Sequence, residues 1–380
     1  MKIIFLINAN DIGGAEYVSY LHVKMAVEAG MDVTVLSGET GIFCTKIQEL
    51  GVKVNVSGTL NKSVISHMEY GLFASYFKTA DVVFNCNWFY AHKHVVTIKK
   101  MCGFKYFSIL HSNIKWVLDN TIPYDKIIDK YYSINQRIIN DFVKRGVSID
   151  KFALIPNCVD TAIIPQKKPD YGFLHKLDLK ISDLDLVIGM TTRIASDKNV
   201  LDAVRLIERV NMYRPASLVI IGSAPVNDTC LAYEARLKAR IAASPVRDRI
   251  HLLGKMTSEQ VYYNQLIFDV AINLSPSEGL PISMLEQMAA GIYCMYPSVG
   301  DIPNVLQGYG FVGTIEQRLT NADIHKDYNY TDSELNQWVE HLATLSTYEI
   351  KWKGMKSAGF VRLFRSYEKQ KINFLKFLTS

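Results

Sequence analysis

The stretch "DVAINLSPSEGLPISMLEQMAAGIYCMYPS" (Asp269–Ser298) decides how the chain is read. It opens on an apolar run, turns polar at Ser275, resumes as an amphipathic segment after Pro281 and stops at Gly291. A second apolar run follows. Short apolar runs bounded by turn signals read as buried strands, and the segment ending at glycine reads as a helix, so the whole is one β-α-β unit. Ligands of open parallel sheets bind beyond the carboxyl ends of the strands. That places the polar loop with Glu278, Gly279 and Leu280 at a binding position. Pro281 suits a first helical turn because it has no N–H to lose. The free N–H groups of that turn offer a site for anionic or hydroxyl-rich groups. Glu286 falls about one and a half turns into the helix and looks back toward the loop. Glu278 and Glu286 are therefore not the close carboxylate pair of a glycosidase. One stands in a loop and one on a helix, and each can accept hydrogen bonds from sugar hydroxyls.

The same alternation extends in both directions. "LDLVIGM", "ASLVIIGSA" and "RIHLLGK" read as strands separated by amphipathic helices. In the first half, "KIIFLIN", "DVTVLSG", "VKVNVS", "ADVVFNC", "KYFSILH", "KYYSI" and "KFALIPN" do likewise. Strands and helices at this spacing argue for two α/β domains with parallel sheets. The expected division is an N-terminal domain over 1–165, a linker over 166–184, a second domain over 185–350 and a basic helical segment over 351–380. A length of 380 residues exceeds what one core usually serves.

Composition narrows the class. Hydrophobic residues make up 49% and charged residues 21%, a globular balance. The six cysteines are dispersed without a CxxC pair and read as free thiols in a reducing compartment. The N-terminal apolar run is too short for a signal peptide, and no run approaches a membrane span, so a cytoplasmic location is expected. The net charge of +5 is unevenly placed. From Lys351 to Ser380 eight basic residues accompany one acid, Glu368, so this tail carries +7 and the remainder −2. The tail is read either as a solvated helix packing its Phe and Leu residues on the body or as a face toward an anionic membrane. The basic excess is not interleaved with aromatics in a groove, which argues against nucleic acid.

Three further groups follow strands. In "GMTTRIASDKNV" (Gly189–Val200), Arg193 and Lys198 share a loop before a helix. An Arg fork and a Lys point charge there can neutralise a diphosphate and stabilise the charge that develops when a sugar–phosphate bond breaks. In "NANDIGGAEY" (Asn8–Tyr17), Gly13 and Gly14 allow close backbone approach to a ligand, although the spacing is not that of a dinucleotide fingerprint. His111 ends the strand "KYFSILH" and can serve as a base or a hydrogen-bond donor. His92 and His94 lack metal-ligand spacing.

Together these motifs resemble the retaining GT-B glycosyltransferases of family 4, the group 1 glycosyl transferases. The resemblance rests on "GGAE" (Gly13–Glu16), "LIPNCVD" with Cys158 where glycine is usual, and "TTRIASDKN" with Asn199 where glycine is usual. It rests further on "SPSEGLPISMLEQMAAG" with its E-x7-E spacing and on "PSVGDIPNVL", where Asp301 takes a position that is often glycine. Tyr293 stands where the family usually has proline. The resemblance implies a GT-B fold, two Rossmann-like domains facing across a cleft, the first acceptor-binding and the second nucleotide-sugar-binding, with the basic terminal segment packing back on the first. It implies a sugar moved from a nucleotide-diphosphate sugar, UDP- or GDP-linked, to a hydroxyl of a glycan or lipid-linked saccharide, with retention. Arg193 and Lys198 would hold the diphosphate, Glu286 the ribose, Glu278 and the backbone of Gly279–Pro281 the sugar. Gly14 would approach the phosphates, and His111 the transferred sugar and acceptor. Backbone around Gly254–Met256 would read the base. The family needs no bound metal or further cofactor, and the DxD-like "DLD" (Asp183–Asp185) precedes a strand rather than following one. A nucleotide-sugar epimerase or sugar phosphorylase of similar fold, or a non-catalytic carbohydrate-binding protein, are the competing expectations.

Overall fold

The computed structural model describes residues 1–8, 13–62, 64–166, 179–316 and 327–379. They form two compact units, Met1–Cys158 together with the helix that starts at Tyr367, and Val159–Ser366.

The first unit is built on a seven-stranded parallel sheet. Its strands are β1 (Lys2–Ile7), β2 (Asp32–Ser37), β3 (Lys53–Val56), β4 (Val82–Asn85), β5 (Lys105–Leu110), β6 (Lys130–Ser133) and β7 (Phe152–Leu154). They lie in the order β3-β2-β1-β4-β5-β6-β7. The central strands are apolar on both faces because helices cover both; Ile3 to Ile7 of β1 are all buried. The helices are α1 (Gly14–Glu28), α2 (Ile42–Glu49), α3 (His67–Phe77), α4 (His92–Cys102), α5 (Lys115–Thr121) and α6 (Gln136–Val143). Local signals fix their ends. Ser66 and Glu69 form a reciprocal capping box on α3, and Asn135 caps α6 through the Ile138 N–H.

The second unit repeats the plan. Its strands are β8 (Leu186–Thr191), β9 (Ala216–Ile221), β10 (Ile250–Gly254), β11 (Val270–Ile272), β12 (Tyr293–Pro297) and β13 (Phe311–Gly313), all parallel, in the order β10-β9-β8-β11-β12-β13. Between and after them run α7 (Val200–Val210), α8 (Asp228–Ala242), α9 (Ser258–Asn264), α10 (Ile282–Ala290), α11 (Ile302–Leu306), α12 (Asp332–Thr344) and α13 (Thr347–Phe364). In α7 the buried Val200, Ala203, Val204, Ile207 and Val210 recur every three or four residues, which presses one face onto the sheet. Helix α13 lies close against the end of α10. A Cβ at Gly354 would fall 2.2 Å from the Gly291 carbonyl oxygen, so only glycine admits this approach.

The last helix, α14 (Tyr367–Thr379), belongs to the first unit. Phe374 and Leu378 are fully buried there, and the Phe374 ring sits 4.4 Å from that of His22 and 5.6 Å from that of Phe84. Lys371 pairs with Glu28 at 2.7 Å. The chain thus divides at Cys158/Val159, upstream of the expected 165. Val159 already bonds within the second unit, donating its N–H to the Arg365 carbonyl at 3.0 Å. The segment expected as one piece over 351–380 is two: α13 stays with the second unit, and the first unit takes the chain from Tyr367. Most of the expected linker, residues 167–178, lies outside the described residues.

Candidate functional site

Strands β8 and β11 are neighbours in the second sheet, yet the chain winds away from β8 on one side and from β11 on the other. This is the topological switch point, where two loops diverge and leave a crevice. The loop after β8 carries Arg193 and Lys198, and the loop after β11 carries Glu278. The first loop is tied down by backbone bonds from Thr192 N–H to the Ile221 carbonyl and from Ile194 N–H to the Ser223 carbonyl, both 3.0 Å. It ends in a single 3-10 turn, Ser196–Lys198, whose C-cap is Asn199 in the left-handed region at φ 50°, ψ 43°. Asparagine is one of the few residues with a side chain that tolerates this conformation, which explains its place where glycine is usual. Its buried amide donates to Asp202 at 2.9 Å.

Four charges meet here. Lys198 Nζ donates to Glu278 Oε1 at 2.8 Å, and both side chains are mostly buried, at 17% and 15% exposure. Asp197 lies 3.6 Å from Lys198 and accepts from Arg193 at 3.2 Å. Burial alone would lower the Lys198 pKa, but the charges of Glu278 and Asp197 outweigh it, and the ammonium is held above its ordinary value. Arg193 is half exposed. Asp197 carries no sequence signal of its own, although it stands between the two cations.

The second carboxylate is held differently. Glu286 Oε1 accepts from the Tyr262 hydroxyl at 3.0 Å. Burial raises the Glu286 carboxyl to about 7, against the opposing effect of that hydrogen bond. Burial holds the Tyr296 phenol well above its usual range, and the charges of both Glu278 and Glu286 push the same way, so one ring senses both acids. Its hydroxyl donates to Gln287 at 2.6 Å. Pro281 is the N-cap of α10 rather than its first residue, and the helix begins there without a side-chain cap. The backbone of Glu278 and Gly279 is locked from behind. Gly300 has φ +56°, and a Cβ on it would lie 2.2 Å from both of their carbonyl oxygens. Asp301 N–H donates to the Gly279 carbonyl at 2.8 Å. Leu280 is buried beneath the loop. Gly254 closes β10, accepting from the Gly222 N–H at 2.9 Å, and Met256 is half-buried in the loop that follows. Tyr262 and Tyr296 carry no sequence signal as site residues, because their partners lie on other elements.

The first unit carries its candidates after two different strands, the glycines after β1 and His111 after β5. Gly13 caps α1 with extended backbone and Gly14 opens the helix; the preceding residues 9–12 lie outside the described residues. His111 follows β5. Its Nε2 is buried without a hydrogen-bond partner, and burial lowers its pKa to about 4, opposed by a hydrogen bond with the Cys86 backbone. It is therefore a neutral imidazole at neutral pH. His22, lowered to about 3 by burial and by His111, bonds the Tyr132 hydroxyl at 3.0 Å. Gln370 of α14 reaches the same hydroxyl at 3.2 Å and also the Pro156 carbonyl. His92 and His94 are tied by Tyr106 at 2.7 Å and by Tyr70 and the Lys62 carbonyl at 3.1 and 2.8 Å.

Among the described residues no group of three or more His, Cys, Asp or Glu is arranged to hold a metal ion, and all six cysteines are free thiols. Asp185 of the "DLD" phrase is buried in a structural pairing with Ser217 at 2.7 Å and Arg249 at 2.5 Å.

Two parallel α/β Rossmann-like units in one chain define the GT-B fold. Within it, residues 176–317, most of the second unit, match the family model described as Glycosyl transferases group 1. The chain is 26% identical over 174 residues to N-acetyl-alpha-D-glucosaminyl L-malate synthase of Bacillus anthracis, covering 43% of this chain and 41% of that protein. It is 24% identical over 216 residues to a phosphatidylinositol N-acetylglucosaminyltransferase component of Arabidopsis thaliana, covering 57% and 44%. These matches span less than half of either relative's length. Among solved structures, Anabaena HepE in complex with UDP and glucose superposes with a TM-score of 0.81 at 15% identity, covering 100% of both chains.

Proposed function

We propose that the protein is a retaining glycosyltransferase of family 4 that moves a hexosyl-type sugar from a UDP- or GDP-sugar to a hydroxyl of a glycan or lipid-linked saccharide. The observation that carries this is the placement of Arg193 and Lys198 after β8, opposite Glu278 after β11. The two cations take the diphosphate, and cations fixed where negative charge develops stabilise the transition state more than the ground state. Glu286, steadied by Tyr262, accepts the ribose hydroxyls. Glu278 and the backbone of Gly279, Leu280 and Pro281 take the sugar, and backbone near Gly254 and Met256 reads the base. In the first unit, Gly13 and Gly14 approach the phosphates. His111, kept neutral by burial, serves as a hydrogen-bonding group toward sugar and acceptor rather than as a strong base. No metal or other cofactor is invoked. The UDP complex of HepE and the N-acetylglucosaminyl chemistry in the names of both curated relatives support a nucleotide-sugar donor.

The test is a thermal-unfolding screen of UDP- and GDP-sugars against the wild-type chain and Arg193→Ala. A donor-specific rise in the wild type that Arg193→Ala loses is the expected result. Protection that survives Arg193→Ala removes that residue from the site.

The location proposed is the cytoplasm, with the protein peripheral on the inner membrane face. Among the described residues no helix is long and apolar enough to cross a membrane. On α13, however, Tyr348, Trp352, Met355 and Leu363 are exposed beside Lys351 and Lys356, and no acid occurs between Glu349 and Glu368. That combination fits an anionic bilayer. Reversing charge at Lys351 and Lys356 should abolish sedimentation with phosphatidylglycerol vesicles; unchanged sedimentation, or none by the wild type, contradicts the membrane reading.

A further inference from the structure

We propose that Glu278 acts as an internal competitor for Lys198, and so makes the site prefer the intact donor over the nucleoside diphosphate left after transfer. The inference rests on the donor-site reading above and adds a discrimination that the reading does not contain.

The ammonium that is proposed to hold a diphosphate is already engaged by the protein's own carboxylates. Lys198 Nζ lies 2.8 Å from Glu278 Oε1, with both side chains mostly removed from water. Asp197 adds a second acid, at 3.6 Å from Lys198 and 3.2 Å from Arg193, so two cations face two carboxylates and their charges balance within the protein. A diphosphate entering this cluster takes Lys198 and leaves Glu278 as an uncompensated, mostly buried anion beside more negative charge. Such a group is costly unless hydrogen-bond donors replace the lost cation.

An intact donor brings those replacements with it. The hydroxyls of its sugar can donate to the carboxylate that Lys198 has released. A nucleoside diphosphate without sugar brings none, and Glu278 then competes with the phosphates for Lys198. Backbone rigidity sharpens the choice. The carbonyls of Glu278 and Gly279 lie where a Cβ on Gly300 would fall, so the backbone that carries the carboxylate is held in place at the crevice. Asp197 is a weaker competitor, because its side chain is one-third exposed and water can compensate it.

The experiment is titration calorimetry with UDP and UDP-glucose, and with GDP and GDP-mannose, on the wild-type chain, Glu278→Gln and Glu278→Asp. Glu278→Gln keeps the shape and removes the charge. It is expected to bind the nucleoside diphosphate about tenfold more tightly than the wild type and the sugar nucleotide no more tightly, reversing the preference. Glu278→Asp keeps the charge and is expected to retain the wild-type preference, which separates charge from packing. A purely structural role for the ion pair would weaken both ligands together. If the wild type binds nucleotides and Glu278→Gln binds the diphosphate no better, the competition is wrong and the donor site stands. If the wild type binds none of the four, both are overturned.

Discussion

The second sheet repeats the order of the first six strands of the first, yet the candidate residues of the two units are chemically opposite. In the second unit the crevice between β8 and β11 is lined by Arg193, Asp197, Lys198 and Glu278, charges held by one another. In the first unit the candidate histidine and its neighbour are neutral: His111 and His22 are kept uncharged by burial, and Tyr132 links His22 to Gln370 of α14. The lesson is that the fold supplies the place and the side chains supply the polarity.

Four perturbations probe that contrast, beginning with the largest. Phe374→Ala empties a buried aromatic site between α14 and the first sheet and should cost about 3–5 kcal/mol. Denaturant unfolding should show the first unit weakened while donor affinity at the second is unchanged; equal loss of donor binding would mean that the charged site depends on this packing. Lys198→Ala should lower turnover by about a hundredfold or more, in line with removing one charge-stabilising donor. The check is steady-state release of nucleoside diphosphate, with circular dichroism showing the fold retained.

Glu286→Gln tests the one carboxylate whose environment disfavours its charge. A folded-state pKa raised to about 7 means that the native protein binds more protons than the unfolded chain between about pH 4.5 and 7. Stability from this group is therefore lost as pH rises through that window, and the deficit is complete above it. Because the side chain is partly exposed, about 2 kcal/mol is the scale expected. Glu286→Gln should unfold at higher temperature than the wild type at pH 8 and at the same temperature at pH 4. The same ionisation predicts that donor affinity in the wild type rises between pH 6 and 8, since ribose hydroxyls donate to the carboxylate. The smallest effect is at His111. His111→Gln should reduce turnover about tenfold through a lost hydrogen bond, about 1.4 kcal/mol. The wild-type pH–rate profile should show no inflection near 6.5 that disappears in the variant.

Much of this was readable from the chain because it rests on local rules. Apolar runs marked the strands, Gly291 marked a helix end, and charged residues just beyond strand ends drew attention to the loops after β8 and β11. What stayed hidden depends on partners distant in sequence. The Lys198–Glu278 contact joins residues 80 apart, and Tyr262 meets Glu286 only when α9 and α10 are brought together. The tail shows the limit well. Its composition is uniform enough to read as one basic helical segment, but Val159 bonds at Arg365 and Ser366, where the chain passes from α13 to α14. Asn199 is an intermediate case: its departure from glycine becomes intelligible once its backbone is seen to be left-handed.

The most direct measurement is a crystal structure of the protein with a bound nucleoside diphosphate sugar. The account predicts phosphate oxygens within hydrogen-bonding distance of Lys198 Nζ and the Arg193 guanidinium, ribose hydroxyls on Glu286, and Glu278 turned from Lys198 to the sugar. A nucleotide bound away from the β8–β11 crevice, or one bound there with the Lys198–Glu278 pair intact, would contradict it.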